Sequence, residues 1–130
     1  MTLILGKKFI HEFRVSQQKI DLFILLSEDK NILHVNRDFA ISKGFKSKVA
    51  HGNILNCFVS FFVGELFPIK EIMIISQSIK FRNPVFAEDL LCFEAIVFNY
   101  VESLSVYELK FTFKLDSKLI SQGKLVLKSI

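Results

Sequence analysis

The sequence predicts an α+β domain in which a long antiparallel sheet wraps one buried helix. Three observations predict it. The stretch from Gly52 to Leu66 is apolar almost all round, the mark of a helix lying inside a domain. After Pro68 the hydrophobic period changes to two and stays there to the end of the chain. At 130 residues the chain has the length of one domain, 1–130, so helix and strands must share a core.

Taken in order, Lys7 to Val15 is a first strand. Ser16 is a candidate N-cap for a helix whose Ile20, Phe23, Ile24 and Ser27 share one face. A short second helix runs from Asn36 or Arg37 to Lys43, ended by Gly44. The apolar helix follows, carrying Phe58, Phe61 and Phe62, and Pro68 marks its stop. Ile72 to Phe81 and Asp89 to Val101 are strands. The cleanest alternation sets Leu109, Phe111, Phe113 and Leu115 against Glu108, Lys110, Thr112 and Lys114. Leu119 to Lys128 returns after a turn at Asp116-Ser117. Consecutive strands with short connections form an antiparallel sheet, and one apolar helix ahead of them gives the wrapped arrangement.

Composition narrows the function classes. Apolar residues make up 51% of the chain, which excludes a disordered segment. Fifteen Phe against two Tyr and no Trp call for a thick core or for apolar surface kept for a partner or an acyl ligand. The richest apolar stretch, Ile54 to Phe67, is broken by Asn56, Ser60 and Glu65, and so is unlike a membrane span. The apolar run at the N-terminus is too short for a secretory signal, and the expectation is a soluble, cytoplasmic protein. Cys57 and Cys92, far apart in apolar company, are expected as two buried thiols. The net charge of +4 comes from lysines scattered without a run. That is unlike the basic stripe of a nucleic-acid binder, and it suits an ordinary solvated surface, an acidic carrier protein or coenzyme phosphates.

Two segments carry candidate chemistry. Leu26-Ser27-Glu28-Asp29-Lys30-Asn31-Ile32-Leu33-His34 brings an acid, an amide and a histidine together between two helices. On a continuous helix Asp29 and His34 would be rotated by about 140° and diverge. They converge only if the chain leaves the helix near Ser27 and runs as an irregular turn. A converging carboxylate and imidazole can hold a water and move its proton; the plainer alternative is a solvated loop acid beside a histidine next to a helix. Val49-Ala50-His51-Gly52 then opens the apolar helix. A glycine there leaves its N–H bare at the positive end of the helix dipole, able to polarise a carbonyl, although a plain N-terminal glycine would look the same. Ser60 lies two turns along, on the side of Asn53 and Asn56, giving a wet seam or local hydrogen bonds.

These residues, taken together, resemble the MaoC-like family of (R)-specific enoyl-CoA hydratases. Asp29, Asn31, His34 and Ala40 match its hydratase signature, His51-Gly52 its second block, with Ser60 at the matching place in the helix. Phe81, Pro84, Val85, Phe86 and Asp89 match a third block. The resemblance runs from about Phe9 to Lys128. It departs at Ile32, where the family usually has a proline that stiffens the turn. The resemblance implies a hot-dog fold and a homodimer. It implies a lyase in which Asp29 and His34 activate water for addition to a trans-2-enoyl thioester, and Gly52 N–H holds the thioester oxygen. Asn31 and His51 would support the site, and Ser60 would line or back the pocket. It implies no metal and no redox cofactor, CoA or the phosphopantetheine of an acyl carrier protein being part of the substrate. A carrier-protein dehydratase is the alternative, with a hot-dog thioesterase and a non-catalytic acyl-binding module further off.

Overall fold

The computed structural model describes residues 4–130. Five strands form one antiparallel sheet in the order β1-β3-β4-β5-β2: β1 (Lys8–Arg14), β2 (Ile72–Phe81), β3 (Leu90–Val101), β4 (Val106–Leu115) and β5 (Lys118–Ser129). The α-helices precede β2: α1 (Gln17–Ser27), α2 (Ile32–Val35), α3 (Arg37–Ser42) and α4 (Ile54–Phe61), and a 3₁₀ turn at Glu102–Leu104 joins β3 to β4. The α+β expectation holds, and so does every expected strand to within a residue or two. Among the described residues no helix is long and apolar enough to cross a membrane.

The alternation expected in β4 sets the sheet against α4. Leu109, Phe111 and Phe113 are buried on the inner face, paired with Leu125, Gly123 and Ser121 of β5. Phe93 on β3 continues that layer. Across it, Phe13 of β1 stacks on Phe58 of α4 with centroids 4.6 Å apart, and Phe62 meets Phe93 at 5.1 Å. Burying rings of this size supplies roughly 1.5–3 kcal/mol each relative to exposure. Gly123 is demanded by packing: a Cβ there would lie 2.0 Å from the Ser78 carbonyl oxygen and 2.5 Å from the Phe111 ring.

Three local expectations are corrected. The apolar segment is α-helical only to Phe61 and continues as a π-helical turn, Phe62–Leu66, closed by Phe67 N–H donating to the Phe62 carbonyl at 2.9 Å. The wider turn lets Phe62, Val63 and Phe67 all face the core, and Phe67 is extended, as a residue before proline must be. This helix is also not buried all round. The sheet of one chain covers a single side, so Cys57, Ser60 and Phe61 remain exposed. Cys57 and Cys92 are both exposed free thiols, not buried ones; Cys92 alternates with the buried Leu91 and Phe93, which turns it to the outer face of β3.

Candidate active site

The segment after α1 leaves the helix just after Ser27, where convergence of Asp29 and His34 needs it to. Ser16 caps the start of α1, its hydroxyl accepting from Lys19 N–H. At the other end Glu28 takes a left-handed conformation (φ 59°) and stops it. Three polar side chains at alternate positions then hook the chain onward. Ser27 Oγ accepts from Asp29 N–H (3.1 Å), Asp29 Oδ1 from Asn31 N–H (3.0 Å), and Asn31 Oδ1 from Leu33 N–H (3.0 Å). Such turns are what Ser, Asp and Asn do when they compete with a helix. Asn31 is thereby the cap of α2, a one-turn helix that sequence reasoning treats as irregular. Ile32 occupies the first helical position, where a proline is ordinarily well accommodated.

α2 delivers His34 to the segment that opens α4. His34 Nδ1 donates to the Val49 carbonyl at 2.6 Å, and Val49 N–H donates to the Leu33 carbonyl at 3.2 Å. A carbonyl only accepts, so the proton is on Nδ1 and the Nε2 of neutral His34 carries a lone pair. His51 lies against His34, ring centroids 4.0 Å apart, and is almost fully buried. Its Nε2 donates to the Asp29 carbonyl at 3.0 Å and stands 4.0 Å from the Asp29 carboxylate, while its Nδ1 is buried without a partner. One donor atom each from Asp29, His34 and His51 lies within 4.8 Å of the others. Among the described residues this is the group able to gather round one water, or round a metal ion.

Gly52 sits beside them. The turn into α4 is tightened by Ile54 N–H to the His51 carbonyl and Leu55 N–H to the Gly52 carbonyl, and the Gly52 N–H meets no acceptor among the described residues. A Cβ on Gly52 would lie 2.8 Å from Cε1 of Phe81. His34, Gly52 and Phe81 line one cleft of about 390 Å³, together with Leu55, Arg82 and Val85. The third sequence block holds that cleft in register. Val85 C=O accepts from Ala50 N–H at 2.7 Å, and the Asp89 carboxylate accepts from Phe86 N–H at 2.9 Å.

The structure therefore brings together Asp29, His34, His51 and Gly52, with Asn31 holding the loop that carries Asp29. Ser60 stands apart, exposed on α4 and outside the lining of this cleft. Sequence reasoning missed the walls, Phe81 and Arg82. Their signal was in the third block, whose spacing is legible but whose side chains acquire a role only when β2 ends beside Gly52.

A helix cradled by an antiparallel sheet, with a carboxylate, two imidazoles and a bare N–H gathered where that helix begins, defines a hot-dog domain with a candidate acid–base site. The comparisons with known proteins fit that class. Residues 4–112 match the MaoC-like domain family, and the chain belongs to it. It is 31% identical to the (R)-specific enoyl-CoA hydratase of Rhodospirillum rubrum over 85% of this chain and 76% of that one. It is 28% identical to a mitochondrial 3-hydroxyacyl-[acyl-carrier-protein] dehydratase of Arabidopsis thaliana, over 87% and 68% of the two chains. Its fold superposes with TM-score 0.89 on an (R)-hydratase from Aeromonas caviae, 28% identical, covering 97% of this chain and 96% of the other. These relatives are hydro-lyases, the enzyme class expected from the motifs.

Proposed function

We propose that the protein reversibly hydrates trans-2-enoyl thioesters to (R)-3-hydroxyacyl thioesters, with acyl-CoA as the favoured substrate. The observation that carries this reading is the Nδ1 hydrogen bond of His34 to Val49, which leaves Nε2 free as a base on a ring grouped with Asp29 and lining one cleft with Gly52.

The chemistry balances as an addition of water. The Asp29–His34 pair binds a water and takes one proton from it as the oxygen bonds to C3 of the enoyl thioester. The electron pair moves through C2 to the thioester oxygen, which Gly52 N–H stabilises, and the pair returns the proton to C2 as the carbonyl reforms. The thioester itself acidifies C2, so the reaction as written calls for neither a metal nor a redox group. Acid–base work of this kind contributes roughly 10²–10⁴ in rate, and one oxyanion donor about 3 kcal/mol. Asn31 holds the acid loop and His51 fixes the Asp29 backbone, whereas Ser60, exposed and outside the cleft, is given no part in the reaction.

We take the whole chain, 1–130, as one such domain working as a homodimer. Edge strand β2 leaves Met73, Ile75 and Phe81 about half exposed beside unpaired backbone, which supports a second copy at this edge. Crotonyl-CoA tests the reading: loss of the enoyl absorbance with (R)-3-hydroxybutyryl-CoA as product is expected. An (S) product, or release of free thiol without hydration, overturns it. A carrier-protein dehydratase is the second reading, favoured by the Arabidopsis thaliana relative, and relative rates on CoA and carrier-bound substrates separate the two.

A further inference from the structure

The cleft that holds His34 and Gly52 has one permanently charged wall residue, Arg82. The inner end of the cleft is apolar and buried, at Leu55 and Val85, whereas Arg82 stands exposed at the rim. Its main chain is fixed there: the Arg82 N–H donates to the Ile120 carbonyl at 2.8 Å, and the side chain of the next residue, Asn83, donates to the Leu119 carbonyl. Among the described residues the Arg82 guanidinium makes no ion pair and no hydrogen bond, while Arg14, by contrast, donates to the Glu88 carbonyl. A free guanidinium beside an apolar cleft is an anion receptor, and its planar fork of donors suits a phosphoryl group. The position selects which anion. An acyl chain belongs at the buried apolar end, which leaves the exposed rim to the handle that carries the thioester.

We propose that Arg82 is a specificity-determining residue that binds the phosphoryl group of the phosphopantetheine handle, the group shared by CoA and carrier-protein thioesters. The proposal rests on the hydration reading above for the reaction it serves, but the anion site can be tested without it.

The test compares wild type, Arg82→Gln and Arg82→Lys on three substrates: crotonyl-CoA, crotonyl-carrier protein, and crotonyl-N-acetylcysteamine, which has no phosphate. Lys124→Gln is the control, removing a charge that faces Lys110 on β4, away from this cleft. For Arg82→Gln we expect KM on both phosphorylated substrates to rise roughly tenfold, with kcat within about twofold. Its kcat/KM on crotonyl-N-acetylcysteamine stays at the wild-type value. Arg82→Lys recovers part of the loss, and Lys124→Gln matches wild type on all three. Equal losses on all three substrates, or no loss on the phosphorylated ones, overturn the proposal. A loss on crotonyl-CoA alone also overturns it, placing the contact on the nucleotide. If wild type hydrates none of them, the reaction reading fails. Calorimetric binding of butyryl-4′-phosphopantetheine, which lacks the nucleotide, then decides the site, with weaker binding to Arg82→Gln supporting it and equal binding refuting it.

Discussion

His34 and Val49 are joined at 2.6 Å, imidazole Nδ1 to backbone carbonyl, and that bond decides which ring nitrogen can take a proton. The anchor is backbone, so it survives side-chain changes around it. His34→Gln removes the base while Asn31 still caps α2. We expect its hydration rate to fall by roughly 10²–10⁴, with far-ultraviolet circular dichroism unchanged. Asp29→Asn, which keeps an acceptor for Asn31 N–H, should fall comparably. Wild-type turnover in either variant would remove the pair from the mechanism.

Gly52 and Phe81 are coupled by space. The Cβ of Gly52→Ala would sit 2.8 Å from Cε1 of Phe81, so that ring must shift. We expect Gly52→Ala to lower kcat/KM by about tenfold or more through the displaced cleft wall and its neighbouring N–H. Adding Phe81→Ala should restore part of it. A double variant no better than the single one would show that the ring is not the obstacle.

Ile32 opens α2 at a position that accommodates proline, and the turn before it is held by the hydrogen bonds from Ser27, Asp29 and Asn31. Asn31 already has ψ 131° (φ −51°), outside the helical region that a following proline disfavours. Ile32→Pro should therefore raise stability by about 0.4–1 kcal/mol, by restricting the unfolded chain, without lowering kcat. Thermal melts with and without the change measure it; a lower melting temperature would mean that the Ile32 N–H or side chain matters in a way this geometry does not contain.

Gly123→Ala should be among the most damaging single-methyl additions. The new carbon would lie 2.0 Å from the Ser78 carbonyl oxygen, a main-chain atom of β2 that cannot turn aside. The cost should be about 1–3 kcal/mol or more, read as a lower urea midpoint. A neutral outcome would show that β2 and β5 separate easily at this point.

Much of this was legible along the chain, and unevenly so. Ser16, the alternation through β4 and the Asp116-Ser117 turn act on neighbours in sequence, so their signals are local and their elements formed as expected. Asp29 and His34 were legible as a motif, and the structure explains why the spacing works: Glu28 breaks the helix and three side chains reroute the backbone. His51 carried a weaker signal. A histidine before a glycine does not show that its ring will lie against His34 and hold the Asp29 carbonyl. Cys57 and Phe61 are exposed where an all-round apolar helix predicts burial, because one sheet covers only one side of it.

What the sequence determined by itself was the class of fold, the order of its elements and which residues are candidates for acid, base and bare N–H, because periodicity, caps and short motifs are short-range properties. Tertiary structure decided the rest. It chose the tautomer of His34 through Val49, brought Phe81 and Arg82 beside Gly52, and left the far side of α4 open. Those outcomes depend on contacts between residues fifteen to dozens of positions apart, and such contacts exist only once the sheet has closed over the helix and fixed where each strand ends.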